Sequence, residues 1–185
     1  MGFGPQWPKG GGRGQGRPRS RAPLRANRNT VRTIGLLLLG LIAAIAARCT
    51  PQVVQGTVEG RPRLVDGDSF FIGQTEVRMQ GIDAPEGRQT CTRDGSDWRC
   101  GDDARRTLER LIGNRPIRCD IHSTDQHGRG LATCFNASGD NLNARMVAEG
   151  LAVAFGAYKS EEAQARSARR GLWASEFERP QDWRR

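Results

Sequence analysis

No acidic residue precedes Glu59 in this chain of 185 residues, although nine of its 29 basic residues do: Lys9, Arg13, Arg17, Arg19, Arg21, Arg25, Arg28, Arg32 and Arg48. That absence removes the simplest reading of the formal net charge of +9. From Glu59 onward 20 basic residues face 20 acidic ones, so the overall charge says nothing about what a folded part binds. Histidine is scarce, with only His122 and His127, and no Cys-x-x-Cys pair accompanies them, which argues against a zinc site. The apolar run "TIGLLLLGLIAAIAA" at 33–47 has 15 residues, short of the roughly 20 that a spanning helix usually needs.

What is present divides the chain. Residues 1–32 are rich in Gly, Pro and Arg and hold too few apolar side chains to offset the entropy of ordering them, which predicts a disordered basic arm; such a Gly/Arg segment also suits RNA. The apolar run follows a basic flank and ends in small residues. Residues 33–48 are thus expected to be a signal peptide, or a signal-anchor helix that keeps the arm inside and the domain outside; the alternative is a buried helix of a soluble protein. Cleavage and retention both stay open, and a retained helix would contact the membrane. Cys49 suggests lipid modification, but Arg48 before it does not match the small residue such sites carry. The expected layout continues with a linker at 49–55, a folded domain at 56–176 and a C-terminal tail at 177–185. The expected location is exported: periplasmic, secreted, or held at the cytoplasmic membrane with the domain outside.

Cysteine usage agrees with export. Apart from Cys49 there are four, Cys91, Cys100, Cys119 and Cys134. Spacing alone permits three connectivities, or free buried thiols; pairing of 91 with 100 and of 119 with 134 is expected, the first across the turn-rich loop "TRDGSDWR". "NAS" at Asn136 is a glycosylation sequon only in a host that modifies such sites.

In the domain, "RLV" ends a first strand, and "SFFI" and "EVRMQGI" flank the turn "GQT" as a hairpin. "DDARRTLERLIGN" sets Ala104, Leu108, Leu111 and Ile112 on one helical face and closes at Gly113. "RPIRCDI" and "GRGLATCFN" read as strands, and "NLNARMVAEGLA" as a helix burying Leu142, Met146 and Val147 and stopping at Gly150. "SEEAQARSARRGLW" reads as a last helix capped by Ser160 and ending at Gly171. Five short strands with about three helices predict an α+β fold on a five-stranded oligonucleotide-binding (OB-fold) β-barrel.

The acids of "VDGDSFFIGQTEVRMQGIDAPE", 65–86, fall at strand ends. Asp66 and Asp68 bracket Gly67, and Asp83 closes the third strand. In strict alternation Arg78 shares a face with Gln80 and Ile82 while Asp83 lies opposite, so Arg78 and Asp83 meet only if the chain bends near Gly81. Pro85 keeps Ala84 extended, and the turn beyond can return Glu86 to the same mouth. Clustered carboxylates repel, and a hard cation such as Ca2+ offsets that with oxygen ligands; carboxylates that merely cap turns are the plainer alternative.

These residues resemble the staphylococcal nuclease-like (thermonuclease) family over about 56–173, through "VDGDSF", "VRMQGIDAPE", "DQHGRGLA" and "AEGLA…AYK…EEAQARSARRGLW" in that order. The resemblance implies Ca2+ held by Asp68, Asp83 and the backbone carbonyl of Ala84, with Asp66 in the outer shell, and a catalytic trio of Arg78, Glu86 and Arg129. It implies Tyr158 as one of two aromatic residues that pack on substrate. Gly156 stands at the position of the other, Ala84 where the best-known member has Thr, and His127 where an aromatic neighbour is usual.

The chemistry accounts for these residue types. Attack on an anionic phosphodiester adds charge to the equatorial oxygens, which a cation and two guanidinium forks can offset while Glu86 activates water. The implied function is a Ca2+-dependent, extracytoplasmic endonuclease acting on DNA and RNA, as a monomer with no readable protein partner. The alternative is a catalytically idle OB-fold module that binds nucleic acid or protein at the cell envelope.

Overall fold

The computed structural model describes residues 1, 2, 4, 33, 34, 36–40 and 53–185. The chain divides into two units, Met1–Thr50 and Pro51–Arg185. In the first, residues 33, 34 and 36–40 are helical and exposed. Most of the expected arm and of the signal or anchor segment lies outside the described residues. Among the described residues no helix is long and apolar enough to cross a membrane, so nothing there supports a transmembrane anchor.

The second unit is built on a mixed six-segment sheet, in the order β1 (Gly56–Gly60), β8 (Ile117–Thr124), β9 (Gly130–Phe135), β4 (Thr75–Met79), β3 (Ser69–Ile72) and β2 (Pro62–Leu64). Its two edge segments, β1 and β2, are separated in sequence by Arg61 alone, so one bent strand supplies both edges and the sheet curls into a half-barrel. Counted that way the sheet has the expected five strands. The expected hairpin forms, with Ser69 opposite Arg78 and Ile72 opposite Thr75 around a turn at Gly73. Strand β4 stops at Met79, earlier than its apolar pattern suggests. The chain turns at Gln80 and Gly81, and Ile82–Asp83 (β5) pairs instead with Val153–Ala154 (β10).

Gly81 makes that turn feasible. Its φ is +80°, a region costly for a side chain, and a Cβ there would stand 2.7 Å from that of Ala157 and 3.2 Å from the ring of Tyr158. Buried Asn143 holds the bend from behind: its side chain accepts from the Cys134 amide at 3.0 Å and donates to the carbonyls of Gln80 at 2.8 Å and Ala132 at 3.0 Å. One buried amide thus bonds three main-chain groups, of which the Ala132 carbonyl also accepts from the Gln80 amide at 2.8 Å.

Alternation builds the core. Val77 and Met79 are buried while Glu76 and Arg78 on the other face are half-exposed. Helix α1 (Cys100–Ile112) lays Ala104, Leu108 and Ile112 on the core at helical spacing, with Leu111 only partly buried, and α2 (Leu142–Ala148), capped by the Asn141 side chain, adds Leu142, Met146 and Val147. Burying each of the larger side chains contributes about 1.5–3 kcal/mol. At the loop before β3, a Cβ on Gly67 would stand 2.7 Å from that of Ala104 and 2.8 Å from that of Ala84, so its missing side chain lets Asp66–Asp68 pack against α1.

Four local expectations are corrected. The loop between Cys91 and Cys100 is a hairpin, β6 (Cys91–Arg93) and β7 (Ser96–Trp98), turning at Asp94 and Gly95, both with positive φ. Helix α3 (Lys159–Ser167) starts one residue before Ser160, because Tyr158 enters it from the left-handed region (φ 59°); the Ser160 hydroxyl donates to Glu161 and caps nothing. It ends at Ser167, the chain passing through Arg169 at φ 50° into a separate 3-10 turn, Gly171–Ala174. The expected tail holds a further helix, α4 (Pro180–Trp183), begun by a proline that needs no amide partner there. Disulfides join Cys91 to Cys100 and Cys119 to Cys134, the latter directly paired in register across β8 and β9.

Candidate active site

Two pairings assemble the site. The antiparallel register sets Ser69 opposite Arg78, which brings Asp68 beside the end of β4, where its carbonyl accepts from the Met79 amide at 2.8 Å. The parallel register of β4 with β9 sets Val77 opposite Gly130, so Arg129 stands at the same edge as Glu76 and Arg78. The bend at Gly81 then turns Asp83 inward. Arg78 Nη2 lies 2.8 Å from Asp83 Oδ1 and 3.3 Å from Asp68 Oδ2: the contact that strict alternation would forbid is made.

Asp68 and Asp83 are almost wholly buried, at 2% and 3% exposure. Asp68 Oδ1 accepts from the Ser69 hydroxyl at 2.9 Å and Oδ2 from the Ala84 amide at 3.0 Å. Asp66 closes the turn before it, its Oδ1 taking the amides of Asp68 at 3.0 Å and Ser69 at 2.8 Å. Burial pushes the Asp68 carboxyl up to about 7; Arg78 and the hydrogen bonds pull it down, and the Asp66 charge pushes it further up. Arg78 alone therefore does not offset the burial of Asp68.

Asp66, Glu76, Arg78, Glu86, His127, Arg129 and Arg184 line one open cavity of about 550 Å3. The three residues expected to be catalytic thus share a single space. Arg129 is aimed by Asp125, whose Oδ2 lies 2.8 Å from its Nε and whose Oδ1 takes its amide at 3.0 Å and that of His127 at 2.8 Å. Burial would raise the Asp125 carboxyl, but these bonds outweigh it and hold it below its usual range. Glu86 is fixed through buried Gln89: the Glu86 amide donates to Gln89 Oε1 at 3.2 Å, and Gln89 Nε2 donates to the Glu178 carbonyl at 2.7 Å.

That last bond ties the C-terminal segment to the site, and α4 delivers a residue that the sequence reading left out. Arg184 Nη1 lies 2.5 Å from Glu86 Oε1, and its Nη2 lies 3.0 and 3.2 Å from Asp83 Oδ1 and Oδ2. Partial burial disfavours its charge, yet Glu86 and Asp83 hold its pKa above the ordinary value. A second cavity of about 480 Å3 adjoins the first through Arg78 and Arg184 and is lined by Tyr158, Phe155, Gly81 and Asp83. Asn141 Nδ2 donates to the Tyr158 hydroxyl at 3.4 Å. Gly156 also lines this cavity and offers no ring; Phe155 beside it, 62% exposed, does. A phenylalanine next to that glycine was the available signal, and Asp125 opens the motif "DQHGRGLA" four residues before Arg129, whereas nothing local marks Arg184.

Among the described residues no group of three or more His, Cys, Asp or Glu side chains is arranged to hold a metal ion. Asp68 and Asp83 present two buried carboxylates with no nitrogen or sulfur donor beside them, a chemistry that fits a hard cation rather than a softer one.

The profile of the family described as Staphylococcal nuclease homologue matches residues 76–175. The chain is 32% identical to the succinoglycan biosynthesis protein ExoI of Rhizobium meliloti (strain 1021) over 80% of its own length and 79% of that protein. It is 32% identical to the probable endonuclease LCL3 of Verticillium alfalfae over 66% of its length and 48% of that protein. With the probable staphylococcal-like nuclease CAN2 of Oryza sativa subsp. japonica it shares 34% identity over 64% of its length, spanning 31% of the relative.

Proposed function

Because the chain belongs to the staphylococcal nuclease homologue family, we propose that it is a Ca2+-dependent nuclease that hydrolyses phosphodiester bonds of DNA and RNA outside the cytoplasm. The observation that carries this reading is the convergence of Arg78, Arg129 and Glu86 on one cavity, from which Arg78 reaches back to the buried pair Asp68 and Asp83. The two disulfides support an oxidising compartment.

Asp68, Asp83 and the carbonyl of Ala84 would hold the cation, with Asp66 acting through water. When bound, Ca2+ supplies a Lewis acid that offsets charge on a phosphodiester oxygen. Arg78 and Arg129 each offer a planar fork to the remaining oxygens as charge builds there, and Asp125 keeps the Arg129 fork in place. Glu86 takes the proton of the attacking water at a carboxylate oxygen. Arg184 holds Oε1 of Glu86, leaving Oε2 as the free oxygen, and its contacts with Asp83 would have to yield to a cation held there. Tyr158 and Phe155 offer stacking faces for a nucleoside in the adjoining cavity.

A second reading, an idle module of the same fold, draws support from the relative named for succinoglycan biosynthesis, a name that states no nuclease activity. Incubating the full-length protein with single-stranded DNA in Ca2+ and then in excess EGTA separates the two. Cleavage that needs Ca2+ is expected, and intact DNA under both conditions would overturn the nuclease reading.

A further inference from the structure

Nineteen arginines lie between Arg61 and Arg185, and ten of them have a carboxylate oxygen within 4.0 Å: Arg78, Arg99, Arg106, Arg110, Arg118, Arg129, Arg145, Arg166, Arg184 and Arg185. Of the nine without such an ion pair, four are not scattered. Arg61, Arg63, Arg105 and Arg115 line a single groove of about 450 Å3 whose one carboxylate is Glu109. The groove therefore carries a formal charge of about +3 on a domain that is balanced overall, and a positive patch concentrated this way attracts polyanions.

The fold builds this groove from two elements. Strand β2 and the residue before it place Arg61 and Arg63 two positions apart, hence on one face, and both are exposed. The Arg63 guanidinium lies 4.5 Å from the centre of the Phe71 ring, and Arg61 reaches only the Asn114 side-chain oxygen, at 3.4 Å. Arg105 follows Ala104, the residue of α1 that packs on Gly67 in the loop of Asp66 and Asp68. At the far end Gly113, with φ +66°, ends α1 and leads to Arg115. The groove thus starts beside the loop that carries the candidate cation ligands. Arg63 precedes Asp66 by three residues, a span of at most about 11 Å of chain.

We propose that this groove is a second binding site on the same substrate, taking backbone phosphates of a nucleic-acid strand beyond the one being cleaved. The inference rests on the nuclease reading for its ligand, though its test does not depend on cleavage. Guanidinium groups without carboxylate partners are forks ready for phosphate oxygens. Four of them spread over two elements suit successive charges along a chain better than one free phosphate ion, which a single fork or two would saturate. A nucleic acid is favoured over an acidic polysaccharide because the groove adjoins the candidate phosphodiester site.

The test compares two quadruple variants of the full chain that lose the same charge. One is Arg61→Gln, Arg63→Gln, Arg105→Gln and Arg115→Gln; the other is Arg106→Gln, Arg110→Gln, Arg145→Gln and Arg166→Gln, all outside the groove. Binding of a fluorescent 30-nucleotide single strand is followed by anisotropy in EGTA across a salt series, and cleavage of the 30-mer and of a dinucleotide is followed in Ca2+. The groove variant should lose about tenfold in affinity at low salt and flatten the slope of log K against log salt by up to about 3, at about 0.7 per lost contact. Its kcat on the dinucleotide should match wild type. The control variant should keep the wild-type slope. Equal losses in both variants would mean bulk charge rather than a site, and no loss in either would overturn the groove. Loss of binding to polygalacturonate with DNA binding intact would assign it to a polysaccharide instead. If wild type binds DNA with the expected slopes but never cleaves it, the nuclease reading fails and the groove stands. Should the quadruple variant unfold, judged by its thermal transition, the pair Arg61→Gln and Arg115→Gln reads the same slope with half the effect.

Discussion

Replacing Asp68 with Asn should make the protein more stable when Ca2+ is withheld and unable to gain from Ca2+ when it is supplied. Asp68 is fully enclosed, and burial lifts its carboxyl from an ordinary 3.8 to about 7. The folded state thus binds the proton more tightly than the unfolded chain does. That contribution is complete below about pH 4 and is lost as pH rises to about 7. Three units correspond to about 4 kcal/mol at about 1.4 kcal/mol each, an upper bound on what the ionised carboxylate costs the fold at pH 8. An asparagine can keep the local bonds: its oxygen turned to the Ala84 amide and Arg78, its nitrogen to a Ser69 hydroxyl that rotates to accept. Urea denaturation in EDTA should therefore show wild type and variant within about 1 kcal/mol at pH 4, and the variant ahead by about 2–4 kcal/mol at pH 8. At 100 times its Kd, Ca2+ should return about 2.7 kcal/mol to wild type and nothing to the variant. A variant less stable than wild type at pH 8 in EDTA, or a gap that ignores pH, would refute the reasoning.

Arg184→Ala frees Glu86 and removes a guanidinium that would compete with the proposed cation for Asp83. Since its side chain is 37% exposed and screened, the gain is modest: calorimetry should give a Ca2+ Kd lower by about five- to tenfold, and a higher Kd would make Arg184 a helper of binding. Gly81→Ala forces a side chain into φ +80° against Ala157 and should cost about 3 kcal/mol in chemical denaturation, with Ca2+ affinity falling alongside as Asp83 loses its place. Asn143→Leu leaves the Cys134 amide and the Gln80 carbonyl buried without their partner and should cost about 3 kcal/mol; a cost under about 1 kcal/mol would show the bend is held elsewhere. Removing the Cys119–Cys134 bridge, which spans 15 residues, by replacing both cysteines with Ala should lower stability by about 3 kcal/mol, read as a shift of the urea midpoint with the Cys91–Cys100 bridge left intact.

The hairpin and the meeting of Arg78 with Asp83 were legible for one reason. Side chains alternate with period two, so two residues five apart in a strand face opposite ways unless something intervenes, and Gly81 was the one residue there suited to intervene. The helices α1 and α2 were legible from apolar spacing, which responds only to which face is buried. The start of α3 was not, because the chain enters it through Tyr158 in the left-handed region, which the capping pattern at Ser160 does not announce. The Asp94-Gly95 turn was visible in the chain, but the short polar strands beside it carry no apolar alternation to announce a hairpin. Arg184 lay beyond sequence reasoning altogether: its contacts are with residues 98 and 101 positions away, and the Gln89–Glu178 bond beside them spans 89. Phe155 could have been taken from the sequence once Gly156 was found where a ring was expected.

The measurement that bears most directly on the site is single-turnover cleavage of a 5′-labelled single-stranded oligonucleotide at saturating Ca2+, comparing wild type with Glu86→Gln and Arg78→Gln. Each variant should cleave at least about 100-fold more slowly while binding the strand to within a few-fold of wild type, because each group acts on charge or a proton that develops during attack. Cleavage by Glu86→Gln at the wild-type rate would contradict the account, whatever the metal dependence of the reaction.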